Sequence, residues 1–297
     1  MIRTIAFATA LTVLSQCSAP QAAVLYGADA VSGELLSVDR STGAATPIGP
    51  IGYANIAGLA FAPDGTLYGV SRSPGTPAVS TLVSIDTVTG AGTAVGVLNF
   101  EGVDGLAFAP DETFYGIDLV DGLLTDTLIT IDPVSADATA VGLLNPLPGL
   151  TQAVHGIAVA ADGTIYVTDI FHDTLYTVDP MTAATTAVGS HRTAPDVDIT
   201  LLNLTFAPDG TLYATDDISK ALFTVDPATG AATEIGPLGS DFVRAIAAAP
   251  AAVPLPAAGW LLFGGLLGFG LVRRRAPCAH PCSRDRPRWR ALETGKS

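Results

Sequence analysis

Leu59-Ala60-Phe61-Ala62-Pro63-Asp64-Gly65-Thr66-Leu67-Tyr68-Gly69 is a short apolar run, a Pro-Asp-Gly turn and a second short run with an aromatic residue. That pattern predicts a tight β-hairpin, because Pro, Asp and Gly supply the turn and the flanking runs suit strands. It returns as Leu106-Ala107-Phe108-Ala109-Pro110-Asp111-Glu112-Thr113-Phe114-Tyr115-Gly116, then over residues 157–167 and 204–214. A second phrase, apolar-x-apolar-Asp, ends at Asp39, Asp86, Asp132, Asp179 and Asp226, with spacings of 47, 46, 47 and 47 residues. Gly49, Gly96, Gly142, Gly189 and Gly236 keep the same interval. The chain is a repeat protein.

Each period offers four short β runs, and four strands in about 40–50 residues predict a β-propeller blade. A single open sandwich is the poorer alternative, since it gives no reason for near-identical spacing, whereas stacked blades do. The region starts at Val24-Leu25-Tyr26-Gly27, in the phase of a second strand, and residues 242–250 end it in the phase of a first strand. The two ends would then complete one blade. The expectation is an all-β, five-bladed propeller of four-stranded blades over residues 24–250, its ring closed by the N- and C-terminal strands.

The Phe-Ala-Pro-Asp-Gly-Thr-Leu-Tyr and Val-Asp-Pro-x-Thr-Gly phrases are similar to those of extracellular bacterial propellers with NHL- and YVTN-type repeats, over essentially residues 24–250. The resemblance implies a propeller fold and, for most such proteins, a binding or scaffold role.

The flanks read differently. Residues 1–23 carry Arg3, an apolar run over 5–14 and a small-residue stretch over 18–23, the pattern of a secretory signal peptide. Cys17 leaves a lipoprotein alternative open. Val253-Pro254-Leu255-Pro256-Ala257, an apolar helix over about 257–272 and Arg273-Arg274-Arg275 together resemble the VPLPA-type sorting signal of the PEP-CTERM class, over residues 251–275. In that class an integral-membrane exosortase recognises and cleaves the signal. The resemblance implies transient anchoring in the inner membrane, then delivery to the cell surface or extracellular matrix, with extracellular polysaccharide as a partner. Physically, about 16–20 apolar residues just cross a bilayer. The arginines would hold that end in the cytoplasm. Residues 276–297 depart from the class, whose signals finish near the arginines, and read as a basic, disordered tail. Cys278, His280 and Cys282 are too crowded around a proline to make a strong metal site.

Composition bounds the partners. Residues 24–250 hold five Lys/Arg against 26 Asp/Glu, a net −21, while residues 253–297 hold eight basic and two acidic residues, a net +6. An acidic body excludes nucleic acid as a natural partner. The three cysteines, Cys17, Cys278 and Cys282, all lie outside the repeats, so packing alone must hold the fold.

Most aspartates recur in every repeat and read as turn formers. A ligand site breaks that symmetry. Aligned on Phe61, the first strands place Ala57, Asp104, His155, Leu202 and Arg244 at one equivalent position near one mouth of the central channel, with Glu101, Asp196, Asp198 and Asp241 in the loops just before. Glu101, Asp104, His155 and Arg244 are the candidate ligand site, suited to a small polar ligand, a sugar or a cation such as calcium. Gly-x-Ser-x-Gly, a Gly-rich phosphate loop and a paired-His motif are all missing from the sequence, so no catalytic residue, cofactor or metal ligand is assigned. The expected function is that of an exported, non-enzymatic binding or scaffold module. The alternative is a secreted carbohydrate-active hydrolase in which Glu101 pairs with an aspartate at the channel mouth.

Overall fold

The computed structural model describes residues 24–73, 79–119, 126–144, 153–192 and 199–251. The signal-peptide segment, the Val253-to-Arg275 sorting motif with its apolar run, and the basic tail lie outside the described residues. Among the described residues no helix is long and apolar enough to cross a membrane.

Among the described residues twenty strands form five four-stranded antiparallel sheets. The first blade runs from inner to outer strand through Val243–Ala248, Leu25–Asp29, Glu34–Val38 and Ala45–Pro50. The second has Ile56–Phe61, Leu67–Ser73, Val79–Ile85 and Gly92–Val97; the third has Val103–Phe108, Phe114–Asp118, Asp126–Ile131 and Ala138–Leu144. The fourth has Val154–Val159, Ile165–Asp169, Thr174–Val178 and Thr185–Ser190; the fifth has Leu201–Phe206, Leu212–Asp216, Ala221–Val225 and Ala232–Pro237. The first blade draws its inner strand from the end of the chain and its second strand from the start, with Leu25 opposite Ala248 and Gly27 opposite Ile246. That is the predicted closure.

The repeated phrase forms the hairpin between inner and second strands. In the second blade Ala62 N–H donates to the Thr66 carbonyl and the Asp64 carboxylate accepts the Thr66 N–H at 2.8 Å. Asp111, Asp162 and Asp209 repeat that bond. The aromatic residues of the phrase serve the neighbouring blade. Tyr26 meets Phe61 edge-on at 5.4 Å, Tyr68 lies 5.9 Å from Phe108, and Tyr166 meets Phe206 at 5.6 Å, each pair joining one blade to the next. Such pairs contribute about 0.5–1.5 kcal/mol beyond the area they bury. The first blade has Ala248 where Phe would stand, and there Arg40 lies over the Tyr213 ring and pairs with Asp209.

Apolar residues accordingly gather in five clusters, each shared by two consecutive blades. A β-bulge in every outer strand feeds them. Pairing of the third strand with the fourth skips Ile48, Val95, Val141, Val188 and Ile235, and each of these packs against an inter-blade cluster. The neighbouring periodic glycine is a contact residue. A Cβ on Gly189 would lie 2.0 Å from the Thr229 carbonyl oxygen of the next blade, and one on Gly49 would lie 2.4 Å from that of Thr89.

Candidate functional site

The two faces of the ring are unequal. On the face with the Asp-Gly turns, every connection from inner to second strand has five residues and every connection from third to fourth strand has six. On the opposite face, second-to-third connections run from four to seven residues and outer-to-inner connections from five to ten. Turns repeated to the residue serve the scaffold, whereas loops free to vary are where recognition is built. The inner strands begin on this variable face, and so does the candidate site.

Each inner strand starts with a second β-bulge. Pairing with the second strand slips at Ala57, at Asp104 and Gly105, at His155 and Gly156, at Leu202 and at Arg244. A bulged residue is released from the ladder and its side chain is re-aimed. Close approach of adjacent backbones is the other requirement. A Cβ on Gly58 would fall 2.1 Å from the Asp104 carbonyl oxygen, and one on Gly105 would fall 2.5 Å from that of His155. Glycine at this position, repeated as Gly156 in the fourth blade, lets the inner strands of the second, third and fourth blades approach their neighbours this closely.

Three of the four candidate residues meet. Asp104 is 1% exposed, and its Oδ2 lies 2.7 Å from Arg244 Nη2 and 3.1 Å from His155 Nδ1. Arg72 Nη1 lies 3.2 Å from the same oxygen. One carboxylate oxygen of the third blade thus accepts from the first, second and fourth. Burial by itself pushes the Asp104 carboxyl up, but the His155 hydrogen bond and the charges of Arg244, His155 and Arg72 more than reverse this and leave it below the ordinary carboxylate value. Because the carboxylate only accepts, His155 Nδ1 carries the proton of that bond.

Glu101, the fourth candidate, stays apart. It is exposed, and its backbone carbonyl, not its carboxylate, accepts the Ser80 hydroxyl at 2.8 Å. The exposed Asp241 makes no bond to the cluster, and Asp196 and Asp198 lie outside the described residues.

Arg72 and Asn55 complete the arrangement, and neither follows from aligning inner strands alone. Arg72 sits near the end of a second strand, where the other blades have Ala30, Leu119, Ile170 and Asp217. The same break in symmetry singles it out, since only five basic residues occur in the whole body. Asn55 has a left-handed backbone (φ 52°), donates from Nδ2 to the Arg72 carbonyl at 3.0 Å and accepts from Arg244 Nη1 at 2.9 Å. It ties the two arginines to one another.

Neighbouring acids are held by backbone groups. Asp126 accepts the Val154 N–H at 2.7 Å, Asp118 accepts that of Gly102 at 2.9 Å, and Asp169 accepts that of Phe171 at 2.9 Å while pairing with His172 at 2.7 Å. Burial pushes the Asp126 carboxyl up to about 6, assisted by Asp169 and Asp118 and opposed by the Val154 N–H and His155. Among the described residues no group of three His, Cys, Asp or Glu side chains is arranged to hold a metal ion.

Asn203 of the fifth blade reaches Ala57 O of the second at 3.4 Å, and its buried Oδ1 has no partner among the described residues. At the hairpin end of the inner strands lies a small cavity of about 90 Å³ lined by Phe61, Phe108, Val159 and Phe206 among others.

Comparison with known proteins adds the fold and little more. Residues 104–249 match the family described as "Repeat of unknown function (DUF6923)". No curated protein sequence matches the chain. Among solved structures, a chain of the nidogen/laminin complex is similar at 13% identity, with 78% of this chain and 100% of that chain covered and a TM-score of 0.52. A putative 6-phosphogluconolactonase from Bacteroides uniformis is 19% identical over 72% of this chain, with a TM-score of 0.42; the match spans 66% of that enzyme, just under two thirds of its length. The periplasmic gluconolactonase of Pseudomonas aeruginosa is 16% identical over 72% of this chain and 67% of its own, with a TM-score of 0.44. At these identities the likeness is one of fold.

Proposed function

We propose that the chain is an exported propeller that works as a non-enzymatic binding module, with the start of the inner strands on its variable face as the ligand seat. One observation carries this reading: every connection that differs in length between repeats opens onto the face where Asp104, His155, Arg72 and Arg244 break the five-fold symmetry. The VPLPA-like segment supports delivery to the cell surface or extracellular matrix after passage through the inner membrane and cleavage by an exosortase, with extracellular polysaccharide as the partner. The hydrolase reading is disfavoured, because Glu101 is exposed and does not converge with a second carboxylate.

The test joins location to binding. Cells are fractionated, the mature C-terminus is found by mass spectrometry, and the released protein is passed over immobilised matrix polysaccharide. Processing upstream of residue 261 and retention on the matrix are expected, with retention lost in an Asp104→Ala, His155→Ala double variant and kept in Asp86→Asn on the opposite face. Retention that ignores the first pair of changes, or an intact residue 261–272 segment in the surface fraction, would overturn the corresponding half of the proposal.

A further inference from the structure

The ring has one seam. Each blade passes to the next along the chain, but the first blade is built from both ends of residues 24–250, where Val243–Ala248 pairs with Leu25–Asp29. Bonds from Ala249 N–H to Val24 O and from Ala30 N–H to Phe242 O, both 2.9 Å, extend that pairing at either end. No cysteine occurs in residues 24–250, so no disulfide clamps the seam. Side-chain packing there is thin as well. The inner strands of the other blades end in Phe61, Phe108, Val159 and Phe206, whereas the closing strand ends in Ala248 after Ala245 and Ala247, with Val243 and Ile246 as its only large apolar side chains.

Arg244 reinforces this seam from other blades. It stands at the bulge of the closing strand, its Nη1 donating to Asn55 Oδ1 at 2.9 Å and its Nη2 to Asp104 Oδ2 at 2.7 Å, across 189 and 140 residues of chain. Along the chain the closing strand follows the fifth blade, while Asn55 leads into the second and Asp104 belongs to the third. Blades in an open arc touch only their neighbours, so the ring must close before Arg244 meets either partner. Both partners are already held, Asp104 by Arg72 and His155 and Asn55 by the Arg72 carbonyl. Ala57 and Leu202, at the equivalent positions of the second and fifth blades, show that an inner strand forms without a polar residue there. We infer that Arg244 is the latch of the seam, tying the closing strand to the second and third blades through Asn55 and Asp104. The latch is independent of whether this face takes a ligand.

Amide hydrogen exchange of the full mature chain at pH 7.5, resolved by strand, tests this, because a latch governs local opening of one seam and leaves the rest of the ring protected. Arg244→Leu, which gives the first blade the residue of the fifth, should speed exchange across Leu25–Asp29 and Val243–Ala248 roughly 10- to 100-fold, the worth of a hydrogen bond to a charged group. The fourth-blade strands Ile165–Asp169 and Thr174–Val178 should exchange as in the wild type. Asp104→Asn, made in the third blade, should loosen the same two strands of the first, whereas Asp126→Asn in that third blade should not. Arg244→Lys, which keeps the charge and loses the fork that spans both partners, should give a smaller acceleration at the seam. If Arg244→Leu or Asp104→Asn does not fold, the Arg244→Lys pattern decides. Exchange that rises equally in all five blades would mean loss of overall stability and would overturn the latch, as would a seam whose exchange ignores every Arg244 change. Neither result bears on retention by matrix polysaccharide, so the binding-module reading stands or falls separately.

Discussion

Asp126 and His191 are buried titratable groups with opposite effects on stability. The folded state holds a proton on Asp126 up to about pH 6, where the unfolded chain releases it near 3.8, so this contribution weakens as pH rises through that window. His191 is buried with Nδ1 donating to Gly230 O at 3.2 Å and Nε2 unpartnered, and burial pulls it down to about 4 from 6.5. There the unfolded chain binds the extra proton, so stability is lost as pH falls from 6.5 toward 4. Asp126→Asn keeps an acceptor for the Val154 N–H and removes the buried charge. Denaturant unfolding should show it more stable than wild type by about 2 kcal/mol at pH 7.5, with the gain vanishing by pH 4. A gain of the same size at both pH values would show that packing, and not ionisation, is responsible.

At the scale of the element, the hairpin phrase varies informatively once. Gly65, Gly163 and Gly210 sit at φ between 85° and 90°, and the third blade places Glu112 at φ 70° in the same turn, with its N–H bonded to Ala109 O at 3.0 Å. A side chain in the left-handed region costs roughly 1–2 kcal/mol, partly offset by the greater freedom glycine has when unfolded. Glu112→Gly should therefore stabilise the protein by about 0.5–1 kcal/mol in urea titrations. A loss of stability would mean that the Glu112 side chain makes contacts worth more than the strain. The outer-strand glycines were visible as a period and not as contacts. Only the bulge at each fourth strand, and the approach of the next blade's turn, explain why Gly189 and its equivalents leave no room for a Cβ.

Over the whole molecule the cooperative unit is the closed ring, because every apolar cluster is shared by two blades. The strand Leu25–Asp29 belongs to two of these clusters, through Ala28 and Leu25, and supplies the pairing partner of Val243–Ala248. Removing residues 24–29 should replace a single thermal transition with a broad one, expose the edge of Val243–Ala248 and promote association on gel filtration. A synthetic peptide of residues 24–30 should restore the sharp transition, and a truncated chain that melts as sharply as the intact one would contradict closure by this strand.

The sequence by itself determined the blade count, the four-strand period, the closing strands and the position at which three blades carry Asp104, His155 and Arg244. Each of these is local or periodic, and a repeated turn or alternating run reports its own geometry. The tertiary structure alone decided that those side chains converge on one oxygen, that Arg72 and Asn55 join them, and that Glu101 does not. Convergence depends on bulges that turn side chains out of the ladder, and on blades distant in sequence meeting at the axis, and neither leaves a mark in a single repeat.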